Sequence, residues 1–201
     1  MVRTVGSTRE STWPRIRAAG IDLLYEIGYD GMNTRQLAEA AGLTSSALYY
    51  HFSSKEELLF RVLTDLLEEI VDDLDTSLEA AADDGPAVQL DVFVEVLVKW
   101  HVTRRKETFI ASIETRSLSQ ERNEEYQRLR DRFDQHLHDI LEHGAADGVF
   151  SPIDVTTTSA SLMAMLTAIS RWYDPEGPLG LEVISERYVA LARRMVGSDE
   201  R

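Results

Sequence analysis

The stretch NTRQLAEAAGLTSSALYYHF, residues 33–52, sets two helix starts on either side of one glycine, and few folds admit that spacing. Asn33 can cap a helix with Gln36 three residues on, and Gly42 can end it in a left-handed conformation. Two residues later Thr44 can cap a second helix, through Ala47 and Leu48 to about Phe52. Two short helices joined by a tight glycine turn make a helix–turn–helix. Ala38 is small enough for a close crossing, and Leu43, Leu48 and Phe52 point inward. Ser45, Ser46, Tyr49 and Tyr50 are left mostly outside. Tyr49, Tyr50 and His51 stand in a row and cannot all face a core, so this surface meets either water or a partner.

Helical periodicity runs through the rest of the chain. The expected fold is all-α, with an N-terminal three-helix helix–turn–helix domain (1–60) joined to a larger helical bundle domain (61–201). Ile16, Ala19, Leu23, Leu24 and Ile27 precede a stop at Gly28. Ser54 with Glu57 makes another capping box, opening a long helix that bears Leu58, Leu59, Val62, Leu66, Ile70 and Leu74. AADDGPAV breaks that helix. The next, about 88–103, is apolar on most sides (Val92, Phe93, Val96, Leu97, Trp100), which predicts burial. Phe109, Ile110 and Ile113 mark another segment. The stretch 122–146 carries a stripe of Tyr126, Leu129, Phe133, Leu137, Ile140 and Leu141, closed by Gly144 and Gly148. A helix over about 155–173 combines Ser159, Ala160 and Ser161 with Leu162, Met163, Leu166 and Ile169. DPEGPLG is a turn, and Ile184, Tyr188, Leu191 and Met195 mark the last helix.

A formal net charge of −14 argues against nucleic acid until the chain is divided. Residues 1–62 hold seven basic and seven acidic residues, with Arg3, Arg9, Arg15 and Arg17 at the start; residues 63–201 hold 14 and 28. All of the negative surplus lies in the second part, which indicates two jobs. A face of Thr, Ser, Tyr and His without an acidic residue suits DNA. Hydroxyls bond base edges or phosphates, and aromatic rings contact thymine methyls. Arg35 and Lys55 flank that face as phosphate contacts. Packing against the next helix is the lesser alternative for Tyr49 and Tyr50, since a buried tyrosine needs a hydroxyl partner, whereas His51 equally fits a local cap.

Other chemistries find little support. With no cysteine there is no disulfide, thiolate zinc site or cysteine nucleophile, which fits a reducing cytoplasm. MVRTVGSTRES lacks the apolar core of a signal peptide, and the uncharged run 155–170 is short for a membrane span, so a cytoplasmic protein is expected. His136 and His138 fall on different helix faces and there is no HExxH, so no metal is expected. The absence of GxSxG, P-loop and GxGxxG patterns leaves no enzyme signature and no cofactor. A DNA-architectural protein would be strongly basic, and this chain is acidic.

NTRQLAEAAGLTSSALYYHFSSKEELL resembles the N-terminal domain of TetR-family transcriptional regulators, over about residues 13–60. The resemblance implies a homodimer bound to operator DNA. It also implies a variable C-terminal helical domain that binds a small molecule and releases the DNA, with repression as the default. By position it implies DNA contacts at Thr34, Arg35, Thr44, Ser45, Ser46, Tyr49, Tyr50, His51 and Lys55.

One short recognition helix reads too few base pairs, so a two-fold dimer is expected on physical grounds as well. The stripe at 126–141 and the small-plus-apolar face at 159–169 could each pair with a symmetry mate, or could belong to the chain's own core. Phe93, Val96, Leu97, Trp100, Phe109, Ile113, Met163, Leu166 and Trp172 could line a cavity, and each also fits a core. His101, Arg104, Glu114 and Arg116 could add polar anchors, although Glu114 and Arg116 suit ion pairs with neighbouring helices better. FIASIETRSLSQERNEEYQRLRDRFDQHLHDIL, followed by RWYDPEGPLG, resembles the branch of the family that answers to acyl-CoA thioesters, including regulators of fatty-acid and steroid breakdown. That resemblance implies a long apolar pocket with a cationic or aromatic mouth, near Arg171 and Trp172. The acidic surplus of this half opposes a polyanionic CoA and keeps an uncharged or cationic lipophilic effector as the second reading.

Overall fold

In a computed structural model, residues 9–198 are described; Arg3 lies outside them. The helices in order are α1 (Arg9–Gly31), α2 (Thr34–Ala40), α3 (Ser45–Tyr49), α4 (Lys55–Ala80) and α5 (Pro86–Thr103). Then come α6 (Arg105–Glu114), a 3₁₀ turn (Thr115–Ser117), α7 (Gln120–Ala146), α8 (Val155–Thr167), α9 (Ile169–Trp172) and α10 (Leu181–Met195). The fold is all-α, with no strand among the described residues.

Local capping fixes the head. The Asn33 side chain accepts from the N–H of Gln36 while Gln36 Oε1 accepts from that of Asn33 at 3.0 Å. Thr44 Oγ1 accepts from Ala47 N at 3.2 Å and starts α3. At α4 the reciprocal half of the expected capping box is displaced by one residue. Ser54 Oγ accepts from Glu57 N, but the Glu57 carboxylate turns to the N–H and hydroxyl of Ser53, at 2.8 and 2.6 Å. Gly42 makes its turn at φ 65°, and Arg15 Nη2 donates to the Ala41 carbonyl there at 2.6 Å, tying α1 to the end of α2.

The 26-residue α4 runs unbroken past residue 60. Its Leu58, Leu59, Val62 and Leu63 are buried, as are Ile16, Leu24, Leu37, Leu48 and Phe52 of the head. Further along, Leu66, Leu67, Ile70 and Leu74 are buried in the body, and the two sets belong to one connected core. The mostly apolar α5 packs against α4, α7, α8 and α10, which is why apolar side chains occur around most of it. An ion pair of Arg193 with Asp91 joins α10 to α5.

Three expectations change. The stripe on α7 is taken up by the chain's own core, where Tyr126, Phe133, Leu137, Ile140 and Leu141 are buried, so it is not a free face for a symmetry mate. Gly144 does not end α7; the helix continues to Ala146 and stops through Gly148 at φ 69°. Gly144 lies inside because Phe150 folds back on it, and a Cβ there would sit 2.0 Å from the Phe150 ring. The helix expected over 155–173 is broken at Ala168. Thr167 and Ser170 hydroxyls donate to the Met163 and Thr167 carbonyls, a pattern that competes with a continuous ladder. The outer side of α8 (Ala160, Ser161) and that of α10 (Val183, Leu191) remain uncovered in the single chain.

Gly144→Ala is expected to destabilise the fold by about 1–3 kcal/mol through overpacking against Phe150. Urea unfolding checks this; a change within about 0.5 kcal/mol would show that Phe150 moves aside at little cost.

Candidate nucleic-acid interface and effector cavity

Caps at Asn33 and Thr44 start α2 and α3, and the C-terminal end of α3 meets the N-terminal end of α2. The Tyr49 hydroxyl lies 3.1 Å from Thr34 Oγ1, and Thr44 Oγ1 lies 3.0 Å from Ser46 Oγ. Tyr50 is 71 % exposed and Tyr49 53 %, and Arg35, Thr44, Ser45 and Ser46 are exposed with them, Thr34 partly so. Seven of the nine anticipated residues therefore reach the surface, as a patch of hydroxyls, rings and one guanidinium. Such groups can bond phosphates and base edges, and helix N-termini favour anions.

His51 and Lys55 are placed differently. His51 is buried, edge-on to the Tyr50 ring at 5.7 Å between centroids, so it serves the end of α3 rather than the exposed face. Lys55 Nζ donates to the carbonyls of Tyr29 and Met32, at 2.7 and 3.2 Å, and sits over the Tyr29 ring. Two of its three donors thus hold the start of α4 to the end of α1. In sequence Lys55 opens α4, and only the return of the chain brings it to the carbonyls at the end of α1.

Along its length α6 is bonded to α1. Arg105 Nη1 donates to the Tyr25 hydroxyl at 2.9 Å, Lys106 pairs with Asp22 at 2.5 Å and Glu107 with Arg17 at 3.0 Å. At the far end Glu114 Oε1 accepts from Tyr29 N at 2.9 Å, beside Gly28, which has φ 70°. A Cβ on Gly28 would come within 3.2 Å of that oxygen, so glycine serves both the backbone turn and the close approach. The second Glu114 oxygen accepts from Ser117 Oγ at 2.9 Å. Glu114 thus takes neutral donors instead of the ion pair expected for it. Arg104 pairs with Glu69 of α4 and with Glu107, and Glu69 also pairs with Arg17. Glu56 at the start of α4 accepts from Ser119 N at 2.6 Å, which holds its carboxyl below the usual range.

Between α4, α6, α7, α8 and α9 lies a cavity of about 550 Å³. Leu66, Leu67, Ile70 and Phe133 supply its apolar wall. Of the anticipated ligand residues only His101 and Arg171 line it. Phe93, Leu97 and Leu166 are fully buried core. Trp100 donates to Asp73 of α4 at 2.7 Å, Phe109 packs edge-on to Tyr25 of α1, and Ile113 is half-buried outside the cavity wall. Met163 borders a shallower groove between α7 and α8. Trp172 is surface-exposed, stacked on Tyr188 of α10. Apolar spacing marks core and cavity alike, so the large side chains gave no distinction. The usable signal was the small residues: Thr108, Ala111 and Ser112 on α6 and Thr115 just after it, with Ala164 and Ala168 opposite, leave the space open. Arg130 and Arg171 bring positive charge to the lining, and Arg130 is paired with Asp134 at 3.0 Å.

His101 is buried and its Nδ1 lies 2.7 Å from the Leu97 carbonyl. Desolvation lowers its pKa to about 4, Arg130 adding to the effect. His138, Asp139 and Glu142 gather three potential ligand atoms on the outside of α7, an exposed cluster apart from the cavity.

A head that presents hydroxyls, rings and an arginine at helix N-termini, bonded to a helical body around a cavity, defines a helix–turn–helix transcription regulator. The chain belongs to the TetR family: residues 16–62 match the bacterial regulatory proteins of the tetR family, and residues 83–196 match the tetracyclin repressor-like C-terminal domain. It is similar to the HTH-type transcriptional repressor KstR2 of Mycolicibacterium smegmatis, 29% identical over 82% of this chain and 80% of that protein. A tetR-family regulatory protein of Rhodococcus RHA1 has a similar structure, with 28% identity, a TM-score of 0.88, and coverage of 94% of this chain and 98% of the other. AibR, solved with isovaleryl coenzyme A and operator DNA, shares the fold at 24% identity and a TM-score of 0.78, over 92% and 100% of the two chains. Among the described residues no helix is long and apolar enough to cross a membrane.

The depressed pKa of His101 carries a stability consequence. The unfolded chain takes up a proton near pH 6.5 and the folded chain only near pH 4, so this contribution is complete above pH 6.5 and is lost as pH falls toward 4. The loss reaches at most about 3 kcal/mol. Urea unfolding at pH 7 and pH 4.5 is expected to show a smaller acid-dependent drop for His101→Leu than for the wild type; equal drops would place the acid sensitivity elsewhere.

Proposed function

We propose that the protein is a homodimeric repressor whose hold on operator DNA is released by a small, largely apolar effector bound in the cavity. The observation that carries this reading is the double role of α6. Thr108, Ala111 and Ser112 form part of the cavity wall, while Arg105, Lys106, Glu107 and Glu114 of the same helix hold α1 of the head. An effector that displaces α6 also displaces α1, and with it the spacing of two heads in a dimer. Leu66, Leu67 and Ile70 of α4 border the same space, so the helix that supports the head is moved directly as well. A coupling of about 1–3 kcal/mol is enough for a useful switch.

Operator contacts are assigned to Thr34, Arg35, Thr44, Ser45, Ser46, Tyr49 and Tyr50, with His51 and Lys55 positioning them. Dimerisation is assigned to the outer faces of α8 and α10, where Ala160, Ser161, Val183 and Leu191 are uncovered. Small residues there allow two helices to approach closely, and two pairs would make a four-helix interface.

For the effector we favour an acyl-CoA thioester. The apolar wall suits an acyl group, Arg130 and Arg171 suit an anion, and 550 Å³ lies within the range of ordinary ligand pockets. The fold itself accommodates such a molecule in AibR, and the M. smegmatis relative is a repressor by name. A lipophilic cation is the second reading, favoured by Asp134 in the lining and by the acidic body.

Selection from random duplexes is expected to enrich a palindrome. Binding measured by fluorescence anisotropy should weaken as salt rises, and a CoA thioester should weaken it about 5- to 150-fold. Heat with a lipophilic amine and none with CoA thioesters would reverse the order of effectors. Tyr50→Ala is expected to weaken specific binding about tenfold without lowering the melting temperature; a melted protein would make Tyr50 a core residue. Light scattering after gel filtration should give a dimer for the wild type and a monomer for Leu191→Glu, and a wild-type monomer at micromolar concentration would remove the dimer from this account.

A further inference from the structure

On α5, α6 and α8 the polar lining of the cavity presents acceptors. A carbonyl only accepts, so the contact of His101 Nδ1 with Leu97 puts the hydrogen on Nδ1 and leaves Nε2 with a lone pair alone. Among the described residues Nε2 makes no hydrogen bond, on a side chain that is 95 % buried and lines the cavity. Three hydroxyls of the same wall already donate to their own helices. Thr108 Oγ1 donates toward the Arg104 and Arg105 carbonyls at 3.3 and 3.2 Å, Ser112 Oγ to Phe109 at 2.8 Å, and Thr167 Oγ1 to Met163 at 2.8 Å. Each then turns lone pairs to the cavity. Acceptors therefore come from α5, α6 and α8, set among leucine, isoleucine and phenylalanine, while donors come from Arg130, from the Tyr126 and Thr115 hydroxyls, and from Gln127 and Arg171 at the exposed rim.

From this we infer that the effector carries a hydroxyl or N–H donor on the apolar part it buries, and that His101 Nε2 is the acceptor that selects it. The class is a hydroxylated alicyclic or hydroxyacyl group, in preference to its ketone or its plain hydrocarbon. At His101 Nε2 a ketone sets lone pair against lone pair, and a hydrocarbon leaves the buried nitrogen without water or partner. This inference rests on the cavity being the effector site, but not on the CoA part of that reading.

The test compares decahydro-2-naphthol, 2-decalone and decalin, three probes of nearly one shape, in calorimetry with the full-length protein. The alcohol is expected to bind about tenfold or more tightly than the ketone and the hydrocarbon. His101→Leu, its fold checked by circular dichroism and melting, should remove that preference while still binding all three. Should His101→Leu not fold, Thr108→Val is read in its place and should narrow the gap. A ketone that binds as well as the alcohol, or a preference untouched by both variants, overturns the hydroxyl inference and leaves the cavity reading standing. No binding by any probe overturns the cavity as effector site and the inference with it.

Discussion

One apolar seam along α4 underlies the whole arrangement. Its 26 residues span about 39 Å at 1.5 Å per residue, and they belong to two neighbourhoods at once. Leu58, Leu59, Val62 and Leu63 are buried with the head, and Leu66, Leu67 and Ile70 are buried beside the cavity. Interiors packed at crystal-like density do not bend smoothly, so a helix shared by two cores transmits displacement instead of absorbing it. Without that sharing, the head would be a small three-helix unit with little apolar area of its own to stabilise it.

Whereas α4 works through packing, α6 works through polar contacts. Arg17, Glu69, Arg104 and Glu107 form a connected set of ion pairs among α1, α4 and the start of α6, and Glu114 closes the other end onto the Tyr29 N–H. Partly exposed pairs of this kind contribute little net stability, because desolvation and side-chain ordering offset the attraction. They are directional, however, and a directional bond of small net strength can be remade in a second geometry. A joint that holds a head in place and still yields to an effector needs that combination.

The pieces legible in sequence were those decided over three or four residues. Asn33 with Gln36, Thr44 before Ala47, and Gly42 at the turn each satisfy backbone groups locally, so the head could be read before any tertiary contact was known. Ser54 with Glu57 was half legible, because Ser53 offers the carboxylate two donors where Ser54 offers one. The α7 stripe was visible as a stripe, but periodicity gives only the direction of an apolar face and not the identity of what covers it. The cavity was the least legible part. A Leu66 at a cavity wall and a Leu74 in solid core have the same sequence signature, and the void arises from small side chains on separate helices.

By itself the sequence determined an all-helical chain, a helix–turn–helix near its N-terminus and a hydroxyl-rich, acid-free face on that motif, because caps, turns and helical period act between near neighbours. The tertiary structure decided which charged and polar side chains are available. It turned Lys55 into a staple on α1, buried His51, aimed His101 into a cavity and set Glu114 against Gly28. Each of those outcomes depends on groups 23 or more positions apart or on the burial that long-range packing creates, and hydrogen bonding and desolvation act through distance in space.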